Sequence, residues 1–188
     1  MRINEIFYSL QGEGQYTGCP AIFIRFAGCN LHCSFCDTDF SSYVEMTEDE
    51  VVQQVMQYSH CHTVILTGGE PTLQITTSFL NKLECNKFNI HIETNGTKQL
   101  PEGPITWVTC SPKYGALYIQ RIDELKVVYE GQDMSQYDDI KAKVYSLQPC
   151  DTGDAEKNKT LLQETIQYVL DHPHWKLSLQ THKLLNIK

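Results

Sequence analysis

Short apolar runs that end in glycine or a polar turn recur along the chain. AIFIRFAG (21–28) and TVILTGG (63–69) are the clearest, and NIHIETNG (89–96), ITWVTCSPK (105–113), ELKVVY (124–129) and KVYSLQP (143–149) repeat the form. Near-continuous apolar runs of this length mark buried parallel strands. Between the first two, TEDEVVQQVMQYSH opens with Thr47 and Glu50 in capping-box spacing and carries Val51, Val55 and Tyr58 at helical intervals. Residues 72–84 and 156–171 also read as helices. The order predicts an α/β fold of about six parallel strands, although the segments from 89 to 129 lie too close for a helix between every strand. A closed eightfold barrel needs about 250 residues. At 188 residues the expectation is an incomplete, TIM-like parallel barrel with few helices, and no linker, charge block or repeat divides residues 1–188 into more than one domain. In such folds the chemistry sits at the carboxyl ends of the strands, and the polar motifs here follow positions 27, 66, 93, 110 and 148.

GCNLHCSFCDTDF (28–40) places Cys29, Cys33 and Cys36 in C-x₃-C-x₂-C spacing directly after the first such strand. Structural zinc takes four ligands, commonly in two separated pairs, and no second C-x₂-C follows. His32 is the available fourth ligand, on a short tether between the cysteines. A [4Fe–4S] cluster held by three thiolates leaves one iron open, which is how a metal centre engages a substrate or cofactor. Cys19, Cys61, Cys85, Cys110 and Cys150 are scattered and read as small buried apolar residues.

The cysteine spacing, with Phe35 before the last cysteine and TGGEP (67–71) after the next strand, resembles the signature of the radical S-adenosylmethionine (SAM) superfamily. The resemblance implies a [4Fe–4S] cluster whose open iron binds SAM, and an electron that splits SAM into methionine and a 5′-deoxyadenosyl radical. Gly68 and Gly69 suit close backbone approach to SAM, or equally a strand-to-helix turn with positive φ.

FYSLQGEGQYTGCPAIFIRFAGCNLHCSFCDTDF further resembles the N-terminal signature of the 7-carboxy-7-deazaguanine synthase family, and the likeness continues through TGGEP, IETNG, SPK, ELKVV, LQPCD and LSLQTHKLLNI. That implies conversion of 6-carboxy-5,6,7,8-tetrahydropterin to 7-carboxy-7-deazaguanine with loss of ammonia, in queuosine-precursor biosynthesis. It also implies a homodimer and a flavodoxin or ferredoxin as electron donor. By the same resemblance SAM meets Phe35, Cys36, Asp37, Gly69, Ser111, Pro112, Lys113, Gln148, Pro149, Cys150 and Asp151, with Cys150 standing where the family more often has methionine. Mg²⁺ falls to Thr38 of the CDT triplet, for which an ST-turn or helix cap is the alternative.

The substrate side begins with Arg25, whose planar fork pairs with a carboxylate and whose apolar neighbours demand a partner for its charge. Leu10, Gln11, Gly12 and Glu13 offer backbone groups and a carboxylate to an amino-pyrimidinone edge. Thr67, Gln180 and His182 complete the pocket, and any contact from Lys188 rests on its main-chain carboxylate.

Composition narrows the alternatives. A net charge of −8 and a pI near 5.3 offer no basic face for direct binding of nucleic acid, and 41% apolar with 20% charged residues is ordinary for a globular protein. MRINEIFYSLQGEG has no signal-peptide core, no run approaches about 18 apolar residues, and a cytoplasmic location is expected. A glycyl-radical activase shares the cysteine spacing but gives no reason for LQGEG with QTHK; a zinc-binding interaction module is the rival without catalysis.

Overall fold

The computed structural model describes residues 1–36, 38–39, 42–113 and 116–188. In chain order the elements are β1 (Arg2–Leu10), β2 (Pro20–Phe26), β3 (Val44–Glu45), α1 (Glu48–Met56), β4 (Thr63–Gly68), α2 (Thr77–Cys85), β5 (Asn89–Thr94) and β6 (Trp107–Cys110). They continue with β7 (Glu124–Tyr129), β8 (Val144–Pro149), α3 (Ala155–Asp171), β9 (Trp175–Leu177) and α4 (Thr181–Leu185). All strands join one nine-stranded sheet in the order β3-β1-β2-β4-β5-β6-β7-β8-β9. From β2 onward every pairing is parallel, while β1 runs antiparallel to both β2 and β3. This is the open, partial barrel expected, with helices in only some of its crossovers.

Local chemistry sets the helix starts. Thr47 caps α1 by accepting from Glu50 N at 3.3 Å while donating its own N–H to Glu50 Oε2 at 2.7 Å, which completes the capping box. The helix expected over 72–84 is interrupted: Pro71–Leu73 forms a 3₁₀ turn, and α2 begins only after Thr76, whose hydroxyl accepts from Phe79 N. Asp154 caps α3 through the amides of Glu156 and Lys157.

The six strand runs hold, but their two faces differ. One face is apolar: Ile22, Ile24, Phe26, Val64, Leu66, Ile90 and Ile92 are buried beneath Val51 and Val55 of α1 and Phe79, Leu80 and Leu83 of α2. A second core joins Leu125, Val127 and Leu147 to Trp175, with Tyr168 of α3 packed against it. Arg25, Thr67, Glu93, Lys126 and Gln148 occupy the alternate positions and turn to the other face. The strands therefore bury hydrocarbon outward against helices and carry chemistry inward.

Three strands, β1, β3 and β9, and the helix α4 were not foreseen. β1 carries Arg2, Asn4 and Glu5 among its apolar residues, and β9 is only three residues long, so neither forms an apolar run. The scattered cysteines divide: Cys61, Cys110 and Cys150 are buried as expected, but Cys19 and Cys85 are exposed.

Phe79 is fully buried. Phe79→Ala should lower stability by about 3–5 kcal/mol, whereas Leu170→Ala, at a position 70% exposed, should change it by no more than about 0.5 kcal/mol, both read from urea unfolding midpoints.

Candidate active site

A cavity of about 550 Å³ opens on the polar face of the sheet and takes in the ends of its strands. Cys29, Cys33, Phe35, Cys36, Thr38, Gly69, Ser111, Lys113, Gln148, Pro149, Cys150 and Asp151 line it, together with Leu10, Gln11, Gly12, Glu13, Arg25, Thr67, Gln180, His182 and Lys188. Residues spread from one end of the sequence to the other thus share one wall. Pro112 is not among the lining residues, and Asp37 lies outside the described residues.

The cysteine loop is fixed by its neighbours. Gly69 lies so close to the loop that an added Cβ would fall 1.9 Å from Gly28 O, and one on Gly68, at φ +108°, would fall 2.4 Å from Phe26 O. These glycines are required by the protein's own backbone, since Gly69 N donates to Phe26 O at 2.9 Å and Glu70 N to Gly28 O at 3.0 Å. The Glu70 carboxylate, fully buried, accepts from Thr72 N and Oγ1, Thr94 Oγ1 and Asn95 N. Asn95 Nδ2 in turn donates to Asn30 Oδ1 at 3.1 Å and reaches Cys29 Sγ at 3.9 Å. TGGEP and ETNG are therefore a brace for the loop.

Leu31 N donates to Cys29 Sγ at 3.4 Å. Burial raises the Cys33 thiol, with Lys113 opposing and the other two cysteines adding to the rise. Among the described residues no three His, Cys, Asp or Glu side chains converge on a single point for one metal ion. Cys29, Cys33 and Cys36 line one cavity and offer an all-sulfur donor set, the chemistry that fits an iron–sulfur cluster.

Charge on the cavity wall is divided between two places. On adjacent strands β1 and β2, Arg25 Nε lies 2.9 Å from Glu5 Oε1, Lys188 Nζ lies 2.7 Å from Glu5 Oε2, and Arg25 Nη1 reaches Thr38 Oγ1 at 3.4 Å. The partner that Arg25 requires is thus Glu5, which sequence reasoning missed. Phe7 and Phe23 stack beside them, rings 4.9 Å apart and 8° from parallel. Arg25 and Lys188 thus bring two cationic side chains to Glu5.

Across β4, β5 and β6, the balance reverses. Lys126 Nζ on β7 lies 2.7 Å from Glu13 Oε2 and 2.9 Å from Glu93 Oε2. Glu13 Oε1 accepts from both Gln148 Nε2 and Gln180 Nε2 at 3.0 Å, and Glu93 Oε1 from Gln11 Nε2 at 3.2 Å. Burial alone would raise the Glu13 carboxyl, but the Lys126 charge and its three donors hold it at about 2. Burial pushes Glu93 up despite Lys126, and the two carboxylates together raise Lys126 against its own desolvation. Lys126 and Glu93 were also missed: on a strand, a polar residue between apolar neighbours reads as solvent-facing unless the whole strand is known to be covered.

The loop bearing Glu13 is held from beneath and from the far end of the sequence. Glu124, buried, accepts from Gln15 N at 2.9 Å and Ser146 Oγ at 2.5 Å and leaves room above it only for Gly14. Thr181 N donates to Gly12 O at 2.9 Å, and a Cβ on Gly12 would meet His182 Nδ1 at 2.3 Å. Gln148 is engaged at both ends of its amide, by Glu13 and by Ser178 Oγ. The main-chain oxygen of Lys188 accepts from Ser9 Oγ at 2.7 Å, so its side chain is the part turned to Glu5. Lys113 donates to Ser111 Oγ at 2.8 Å and rests 5.2 Å from the Phe35 ring centroid, and burial lowers its pKa.

Three cysteines in a loop at the mouth of parallel strands, braced by a glycine-rich turn, define a radical SAM protein, and residues 23–127 match that superfamily. The chain is 56% identical to the 7-carboxy-7-deazaguanine synthase of Bacteroides thetaiotaomicron, covering 100% of this chain and 98% of that one. It is 38% identical to the Bradyrhizobium diazoefficiens enzyme of the same name, covering 99% and 98%. The crystal structure of QueE from Escherichia coli matches at a TM-score of 0.76 and 28% identity, over 95% of this chain and 92% of that one. The chain belongs to the 7-carboxy-7-deazaguanine synthase family.

Lys126→Met would leave two buried carboxylates without their cation and should cost about 3–5 kcal/mol near neutral pH. The Lys126 stabilisation of Glu13 is present above the ordinary carboxylate value of 4.5 and disappears as pH falls toward about 2. The stability gap between wild type and Lys126→Met, followed by denaturant unfolding, should therefore narrow through that window.

Proposed function

We propose that this protein converts 6-carboxy-5,6,7,8-tetrahydropterin to 7-carboxy-7-deazaguanine with release of ammonia. The observation that carries the reading is the division of charge on one cavity wall: Arg25 and Lys188 against Glu5 on one side, and Glu13 and Glu93 against Lys126 on the other. A flat bicycle with a carboxylate at one end and a donor-rich amino-pyrimidinone edge at the other matches that division. When bound, a [4Fe–4S] cluster on Cys29, Cys33 and Cys36, with SAM, supplies the 5′-deoxyadenosyl radical that starts the reaction.

The residues of the chain then orient the substrate and exclude water. Arg25 turns its fork from Glu5 to the substrate carboxylate, a bidentate, charge-assisted contact. Glu13, kept ionised, accepts from the amino-pyrimidinone edge, with Gln11 and Thr67 beside it. Gln180 and His182 close the cavity over this edge. Phe35, Cys36, Gly69, Ser111, Lys113, Gln148, Pro149, Cys150 and Asp151 form the SAM side. There Lys113 and Ser111, already hydrogen-bonded to one another, meet carboxylate or ribose oxygens. Thr38, next to Arg25 on the cavity wall, would hold Mg²⁺ through its hydroxyl, where the cation would add positive charge beside the substrate. The protein acts as a cytoplasmic homodimer, receives electrons from a flavodoxin or ferredoxin, and makes no direct contact with nucleic acid. No helix among the described residues is long and apolar enough to cross a membrane.

Anaerobically reconstituted and reduced, the protein incubated with SAM and the carboxytetrahydropterin should give deazaguanine absorbance and free ammonia. SAM cleavage without that product would refute the reading. Cys33→Ala should lose both iron and SAM cleavage. Thr38→Ala should keep its iron and sulfide but lose the response of the rate to added Mg²⁺; an unchanged magnesium titration would remove Thr38 from the metal site.

A further inference from the structure

We propose that Glu93 is the proton donor to the nitrogen that departs as ammonia, and that Lys126 is the positioning residue that holds it for that task. The inference rests on the reaction proposed above. Glu93 projects from β5 into the cavity, with one oxygen 2.9 Å from Lys126 Nζ and the other 3.2 Å from Gln11 Nε2. Lys126 also binds Glu13 at 2.7 Å, so one buried cation serves two carboxyl groups. The trio is neutral when one of the two carries a proton.

The surroundings decide which. Glu13 receives three donors, from Lys126, Gln148 and Gln180, and Glu93 receives two, from Lys126 and Gln11. The better-solvated carboxylate keeps the charge, and the proton falls to Glu93. Among the described residues the ionisable groups that act on Glu93 are Lys126 and Glu124 on β7, Glu13 in the loop after β1, Cys110 at the end of β6 and Lys113 beyond it. Burial, Glu124 and Glu13 all favour its acid form, and Lys126 opposes them.

Loss of ammonia needs such a group. The C–N bond breaks with its electron pair going to nitrogen, and nitrogen takes the proton from Glu93. As the ring C=C bond forms, the adjacent carbon releases a proton, which returns the Glu93 carboxylate to its acid form. Until that proton returns, Lys126 and the positive charge left on the substrate carbon together offset the two carboxylates, so no uncompensated charge is left in the cavity.

The test compares wild type, Glu93→Gln and Glu93→Asp as reconstituted enzymes. Binding of the carboxytetrahydropterin is measured by calorimetry in the unreduced state with SAM present, and ammonia release is measured under reduction across pH. Wild-type kcat should fall on the alkaline side as Glu93 ionises. Glu93→Gln, which keeps the shape and an acceptor oxygen for Lys126 but has no acidic proton, should bind within about threefold of wild type, lose about 100-fold or more in kcat and show no alkaline limb. Glu93→Asp should retain a limb at a shifted pH, and this profile decides the matter if the Gln variant does not fold. Ammonia release by Glu93→Gln at the wild-type rate, a defect confined to binding, or an alkaline limb unmoved in Glu93→Asp would each overturn the proposal. If wild type itself releases no ammonia from this substrate, the reaction proposed above fails first, a result distinct from all of these.

Discussion

An ammonium group buried within a sheet exists only if carboxylates meet it there, and Lys126 is that group in this protein. Removing an ion from water is expensive, and the two contacts to Glu13 and Glu93 repay the cost only while both carboxylates stay in place. Those carboxylates come from the loop after β1 and from β5, so a single charge ties three distant segments to one point. Gln148 and Gln180 then gather on Glu13, and Ser178 on Gln148. The wall of the cavity is the network that keeps Lys126 neutralised.

That network was the least legible part of the sequence. The parallel strands could be read because ILTGG and ELKVVY are apolar enough to declare themselves, and α1 because Thr47 and Glu50 have a local, two-residue logic. The cysteine loop could be read because three thiols in eight positions have few alternative uses. Lys126 and Glu93 have no local signature: each is a polar residue at an alternate position in a strand, and only the covering of that face by the loop and the last segment makes it interior. Glu5 is missed for a related reason, since β1 mixes apolar and charged residues and its pairing with Arg25 depends on antiparallel register. Long-range register, unlike periodicity, is not written in neighbouring letters.

The glycine-rich turn shows how a motif acquires two reasons at once. The sequence resemblance assigns Gly68 and Gly69 an expected approach to SAM, yet the backbone of β2 and of the cysteine loop already forbids any side chain there. Glu70 continues the same logic by binding β5 and its following turn rather than facing the cavity. Sequence motifs of this kind record the fit of the loop to the sheet before they record the fit of a cofactor to the loop.

The latch between Gly12 and Thr181 carries a consequence for how the protein is made. Chain closure over so long a contour is entropically costly and comes late in folding. The cysteine loop, by contrast, is braced by residues 67–97, which emerge from synthesis well before residue 181. A nascent chain can thus brace its cysteine loop before the segment that closes over Gly12 has been translated. The brace of the cysteine loop comes first and the latch over Gly12 last.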